Sequence, residues 1–234
     1  MSAVVVLGVG PGLGMSIAHR FGREGRKVAL VSRTADRHAG YVAALAAEGV
    51  AAEAFAVDVR DRAGLLSTVD AIAERLGPVE VVYYGPGDKN TAPKPITDTT
   101  SADVVEAMTW VQPAVDVVGH VLPGMLERGR GGLLFAGGLS AVVPMPPLGA
   151  LALSSAALRN YALTLNAAVA ERGVYAGSLT IGGLVERGDI HAMITERHGR
   201  LTGVGTLDPD EIADTAWDLY AKRDRAEAVF NALS

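Results

Sequence analysis

The segment AVVVLGVGPGLGMSIAHRF, residues 3–21, constrains the fold of this chain more than any other. A β-branched run over 3–10 closes in glycine and gives way at once to apolar residues at helical spacing, Leu13, Ile17, Ala18 and Phe21. The first part reads as a buried strand and the second as an amphipathic helix. Between them Gly8, Gly12 and Gly14 stand in a Gly-x-x-x-Gly-x-Gly spacing, with Gly10 and Pro11 inside it. Glycine lets the backbone approach a pyrophosphate with no Cβ in the way, and the following helix offers free N–H groups and a partial positive charge. Glycines at such a spacing also make ordinary turns. Their place between a first strand and a first helix is what points to a dinucleotide.

The alternation continues along the chain. Strands are expected at 27–33, 51–59, 79–85, 131–138, 174–183 and in the closing AEAVFNAL, residues 226–233. Helices are expected around Tyr41, Leu45 and Ala46, then at 63–77, 103–128, 150–172 and 208–223. The third of these is read as one long helix with Pro113 inside it; the last opens on Asp208 as N-cap and Pro209 at the first helical position. Strict alternation predicts an α/β protein with a doubly wound parallel sheet, helices on both faces and three layers, in a single domain over 1–234. Ligands in such sheets lie beyond the carboxyl ends of the strands. The loops near Gly8, Gly85, Gly138 and Gly183 therefore form the expected site. Residues 184–207 are an insertion near the C-terminus, with Met193, Ile194 and Leu201 as apolar faces. They are expected to form a helical lid over an apolar substrate, although an ordinary long loop would read the same way.

Composition narrows the function. With 234 residues, 49% of them hydrophobic, the chain can build one sizeable core. A net charge of −5 without a basic run argues against nucleic acid. The absence of cysteine removes disulfides, zinc–thiolate sites and thiol nucleophiles. Five scattered histidines make no metal site, and none is expected. No apolar run is long enough to span a membrane, and the N-terminus has no leader-like pattern. A cytoplasmic protein is expected.

A second clue stands at the end of the second strand. An acid there suits the ribose 2′-hydroxyl of NAD, and a basic residue suits the 2′-phosphate of NADP. The sequence places Arg33 there, with Ser32 and Thr34 as further donors, so NADPH/NADP is the expected cofactor. Asp58, followed by Val59, is expected at the end of the third strand, where an acid can accept from the adenine amino group.

Taken together, the glycine loop, Arg33, Asp58 and the two long central helices make the chain resemble the short-chain dehydrogenase/reductase family over nearly its whole length. The resemblance implies a Rossmann-type domain, NAD(P)(H) binding, and a homodimer or homotetramer formed through the central helices. It adds Gly85, Pro86 and Gly87 after the fourth strand, and Ile181, Gly182, Gly183 and Leu184 after the sixth, to the cofactor loops. The family normally carries Asn, Ser and a Tyr-x-x-x-Lys set. Here the Asn position falls near Trp110, the Ser position at Gly138 with Ser140 two residues on, and the Tyr and Lys positions at Leu151 and Ser155. Tyr161 has no Lys one turn later and is expected to pack. Of Tyr83 and Tyr84, one is expected to alternate into the core, and His191 and Lys89 are expected in loops near the cleft. None stands out as an acid, so the catalytic residue is unknown, with Ser140 a weak candidate. Substrate contacts are expected from Ser140, Met145, Leu151, Trp110, His191 and Met193.

A narrower resemblance is to the atypical, simocyclinone-type (angucyclinone) ketoreductases that tailor aromatic polyketides. It implies an NADPH-dependent reduction of a polycyclic aromatic ketone, with a proton that the substrate itself can supply. A missing general acid costs on the order of 10²–10⁴-fold, which leaves a useful reaction possible. The same residues suit a catalytically inactive NADP(H)-binding regulator. A scaffold without cofactor fits worst, because Gly8, Gly12, Gly14, Arg33 and Asp58 are all in place.

Overall fold

The structure is a computed structural model that describes residues 2–87, 93–199 and 201–234. Its sheet strands are β1 (Ala3–Leu7), β2 (Lys27–Ser32), β3 (Ala52–Ala56), β4 (Val79–Tyr84), β5 (Gly131–Gly138), β6 (Val174–Gly182) and, at the C-terminal edge, β9 (Glu227–Asn231). They form one sheet in the order β3-β2-β1-β4-β5-β6-β9. Every neighbouring pair in it is parallel.

The sheet is covered on both faces, which explains why its central strands are apolar throughout rather than alternating. Ala3, Val5 and Leu7 of β1 join one core cluster, and Val4 and Val6 join the other. The first cluster is completed by α3 (Arg62–Leu76), α5 (Gln112–Glu127) and α6 (Gly149–Val169). The second is completed by α1 (Leu13–Arg23), α2 (His38–Ala47) and α8 (Pro209–Lys222). Leu65, Val69, Ile72 and Leu76 show the spacing that puts one stripe of α3 inside. Asp208 caps α8 by accepting from the Asp210 N–H at 2.8 Å, with Pro209 next in line, as expected from the sequence.

Three expectations are corrected. The single helix over 103–128 is two: α4 (Ser101–Met108) and α5, separated by a turn through Trp110 and Val111. Pro113 lacks an N–H and its ring crowds the carbonyl four residues earlier, so it opens a helix instead of riding inside one. The strand expected over 3–10 stops at Leu7, because Gly8 has φ +87°. Tyr83 and Tyr84 are both core, on opposite faces, because neither face of β4 meets solvent.

The insertion over 184–207 contains β7 (Leu184–Val185), α7 (Asp189–His198) and β8 (Thr206–Leu207), with β7 and β8 paired. Among the described residues, no side chain of α7 is fully buried.

Candidate active site

The order of the sheet reverses between β1 and β4, and their loops touch there. Gly85 N–H donates to Leu7 O at 3.0 Å, and a Cβ on Gly8 would stand 2.6 Å from Pro86 N. No L side chain fits at Gly8, both for that contact and for its left-handed backbone. Around this point opens a cleft of about 580 Å³. Its glycine wall is Gly8, Gly10, Pro11, Gly12, Leu13 and Gly14.

The wall is built to meet an anion. Helix α1 starts at Leu13, its N-cap is Gly12, and no acid stands in its first turn. The N–H groups of Gly12, Leu13 and Gly14 have no backbone acceptor among the described residues. Gly10 has open space where a Cβ would lie, whereas Gly14 is packed with its Cβ position 2.8 Å from Val9 Cα. A tight turn beneath, an open glycine above and donors at a helix N-terminus fit a pyrophosphate.

The end of the cleft beside β2 differs in detail from the sequence expectation. Arg33 lines the cleft; Ser32, Thr34, Asp58 and Val59 do not. Ser32 Oγ donates to Thr34 O at 3.0 Å and lies 2.7 Å from His38 Nε2. Its one O–H is spent inside the loop, so it brings no donor to a phosphate. Thr34 is exposed. Asp58 lies two residues beyond β3 and is held by Arg60, accepting from its backbone N–H at 2.9 Å and its guanidinium at 3.0 Å. These bonds from Arg60 outweigh burial and hold the Asp58 carboxyl below its usual range. Val59 is buried in the core below.

At the other end Gly85, Pro86 and Gly87 line the cleft, facing Ile181, Gly183 and Leu184. Gly182 does not, because the Leu139 side chain fills the place above it. Trp110, Ser140 and Leu151 are all in the wall. Met145, His191 and Met193 are not: Met145 precedes the short turn that leads into α6, and the other two are half-buried on α7. Lys89 lies outside the described residues.

Sequence reasoning missed a group of lining residues. Leu148, just before α6, and Ser154 and Leu158 on it line the cleft beside Leu151 and Ser155, the latter expected only as the position of the family's Lys; the helical spacing is readable once Leu151 is placed. Asp189 and Ile190 come from the 184–207 insertion and had no local signal. The floor at β5 is bare, with nothing near the Cβ positions of Gly137. Over Gly138 two hydroxyls meet: Ser140 Oγ and Ser155 Oγ each lie 3.3 Å from where its Cβ would be.

The titratable side chains in the described cleft wall are Arg33, Tyr83, Tyr84 and Asp189. Neither tyrosine suits proton donation to a substrate. Burial pushes both phenols well above their usual range. The Tyr84 O–H is already given to Trp110 O at 2.6 Å. Tyr161 packs edge-on against Phe135, 5.8 Å between ring centres, as its sequence context suggested.

A doubly wound parallel sheet with a glycine loop opening a helix at the switch in strand order defines a Rossmann-type fold. Residues 2–194 match the short chain dehydrogenase family, and the chain belongs to it. Among curated relatives, a glycine betaine reductase of Emericella nidulans is 26% identical over 98% of this chain and 18% of its own length. A putative ketoacyl reductase of Streptomyces coelicolor is 34% identical over 62% of this chain and 58% of its own length. The chain thus spans only part of either relative. Among solved structures, L-sorbose reductase from Gluconobacter frateurii, complexed with NADPH and L-sorbose, superposes with a TM-score of 0.83 at 21% identity, covering 99% of this chain and 95% of that one.

Proposed function

We propose that this protein is a cytoplasmic NADPH-dependent ketoreductase acting on polycyclic aromatic ketones of the kind found in polyketide antibiotic biosynthesis. The observation that carries the reading is the cleft itself. One cavity holds an uncapped helix N-terminus, an open glycine turn, Arg33, and a pair of hydroxyls above a bare glycine floor. The names of the relatives, a ketoacyl reductase and a sugar reductase solved with NADPH, support the same chemistry.

The residues divide the work. The N–H groups at the start of α1 would hold the pyrophosphate and Arg33 would meet the 2′-phosphate. The nicotinamide, when bound, would supply the hydride. Ser140 and Ser155 orient the ketone oxygen by donating to it. Trp110, Leu148, Leu151, Leu158 and Ile190 present apolar surface to flat rings and exclude water. Leu151 stands where the family's acid is expected, so the alkoxide needs another proton source. A phenol beside the ketone in the substrate supplies it through an internal hydrogen bond. Positioning then carries most of the catalysis.

The test is to follow loss of NADPH absorbance with a panel of polycyclic aromatic ketones. Turnover of hydroxy-substituted members is the expected result. Tight NADPH binding with no turnover of any ketone would instead mark a regulator.

A further inference from the structure

One acid lines a cleft otherwise suited to a polyanion. Asp189, the first residue of α7, is in the cleft wall with Arg33. A carboxylate there repels a pyrophosphate unless its charge is taken up elsewhere. It is taken up by Arg37, which precedes α2 in the same loop as Arg33. Arg37 Nη1 donates to both Asp189 carboxylate oxygens, at 2.9 and 2.8 Å. This pair joins the loop expected to hold the 2′-phosphate to the start of the lid.

The pair is not what anchors the lid. Glu186 O and Gly188 N each lie 3.0 Å from the Cβ position of Gly12, so the lid base rests on the glycine loop. Arg187 fastens that base through Asp210 at 2.7 Å and Asp208 at 3.5 Å, and donates to Ser16 Oγ at 3.3 Å. Arg37 and Asp189 are 51% and 38% exposed, a pair that water screens and that breaks at little cost. A second guanidinium thus waits in the 2′-phosphate loop, paired with an acid that is easily displaced.

We propose that Arg37 is a second 2′-phosphate ligand, held by Asp189 until NADP(H) binds and then transferred to the phosphate. A phosphate monoester carries more charge and more acceptor oxygens than one carboxylate, so it wins the exchange. NAD(H) has no group to compete and leaves the pair intact. Asp189 therefore sets how strongly the protein distinguishes the two cofactors. The inference rests on the nicotinamide-nucleotide reading above.

Calorimetry with NADPH and NADH on the wild type, Arg37→Ala, Asp189→Asn and the double variant tests it. Arg37→Ala should weaken both cofactors by uncovering the Asp189 charge, but NADPH about tenfold more than NADH, the further loss of one charge-assisted hydrogen bond to the 2′-phosphate. Asp189→Asn should raise the NADPH-to-NADH affinity ratio several-fold. In the Arg37→Ala background the same change should leave the ratio where it is. Equal weakening of both nucleotides by Arg37→Ala, or an Asp189→Asn effect that survives without Arg37, would overturn the exchange while leaving the cofactor reading standing. A wild type that binds neither nucleotide would overturn both.

Discussion

The hydroxyls of Ser140, just after β5, and Ser155, in the second turn of α6, lie near one point, each 3.3 Å from the missing Cβ of Gly138. Neither is paired with another side chain or backbone group among the described residues. Two hydroxyls in one stretch of the cleft wall can both donate to a ketone oxygen placed beside them. Ser140→Ala or Ser155→Ala alone should therefore keep kcat within about tenfold, and the double variant should lose roughly ten- to a hundredfold. Masking the substrate's neighbouring phenol as a methyl ether should cost far more, on the order of 10²–10⁴-fold. Steady-state kinetics on the four enzymes and two substrates decides this. An ether reduced as fast as the phenol, with one serine variant dead, would mean that the proton comes from the protein.

Arg33 should give the cofactor preference. Calorimetry should show the wild type binding NADPH more tightly than NADH, and Arg33→Ala should lose about tenfold or more on NADPH alone. Tighter binding of NADH by the wild type would refute it.

Stability at low pH should depend on Glu80, at the end of the sheet opposite the cleft. Burial alone would raise its pKa, but hydrogen bonds from Ser2, Tyr220 and Arg26, with the charge of Arg26, bring it down to about 2. The Arg26 contact is 2.6 Å and the Tyr220 contact 2.8 Å. A pKa depressed on folding stabilises the protein above the unfolded value near 4.3, and the contribution fades as pH falls from there towards the folded value. It is worth roughly 2–3 kcal/mol. Glu80→Gln should lower the melting temperature at pH 7, with a gap to wild type that closes on acidification, while leaving NADPH affinity unchanged. A gap that stays constant from pH 7 to 3 would contradict the assignment.

The central helices should carry a subunit interface. Between Gly149 and Ala170 the one charged residue is Arg159, and between Ala107 and Leu126 it is Asp116. Val115 on α5 and Leu153 on α6 each remain 45% exposed. Helices this apolar need cover on more than the sheet side. Light scattering at micromolar concentration should give a dimer or tetramer, and Leu153→Glu should shift it towards monomer. A monomeric wild type would exclude the interface.

Much of this was legible in the sequence because it is local. Strand–helix alternation, the glycines that need an open turn, and the Asp208–Pro209 start of α8 are each specified within a few residues by periodicity, backbone freedom and capping. Those rules sufficed for the parallel sheet, its switch point and the glycine wall of the cleft. They failed where local signals conflict or where the answer depends on packing. Pro113 split a continuous apolar pattern in two, and that turn is what presents Trp110 to the cleft. The donor expected of Ser32 was consumed by its own loop, and Asp58 was taken by a nearby arginine. Whether Tyr83 or Tyr84 points inward had no answer from β4 alone, because only the covering helices make both faces interior. The meeting of Ser140 with Ser155 needed α6 to lie across the end of β5. The pairing of Arg37 with Asp189, 152 positions apart, needed the insertion after β6 to pack against the glycine loop. Periodicity determines which face of an element is apolar; only the packing of elements decides which polar groups are left facing one another across a cleft.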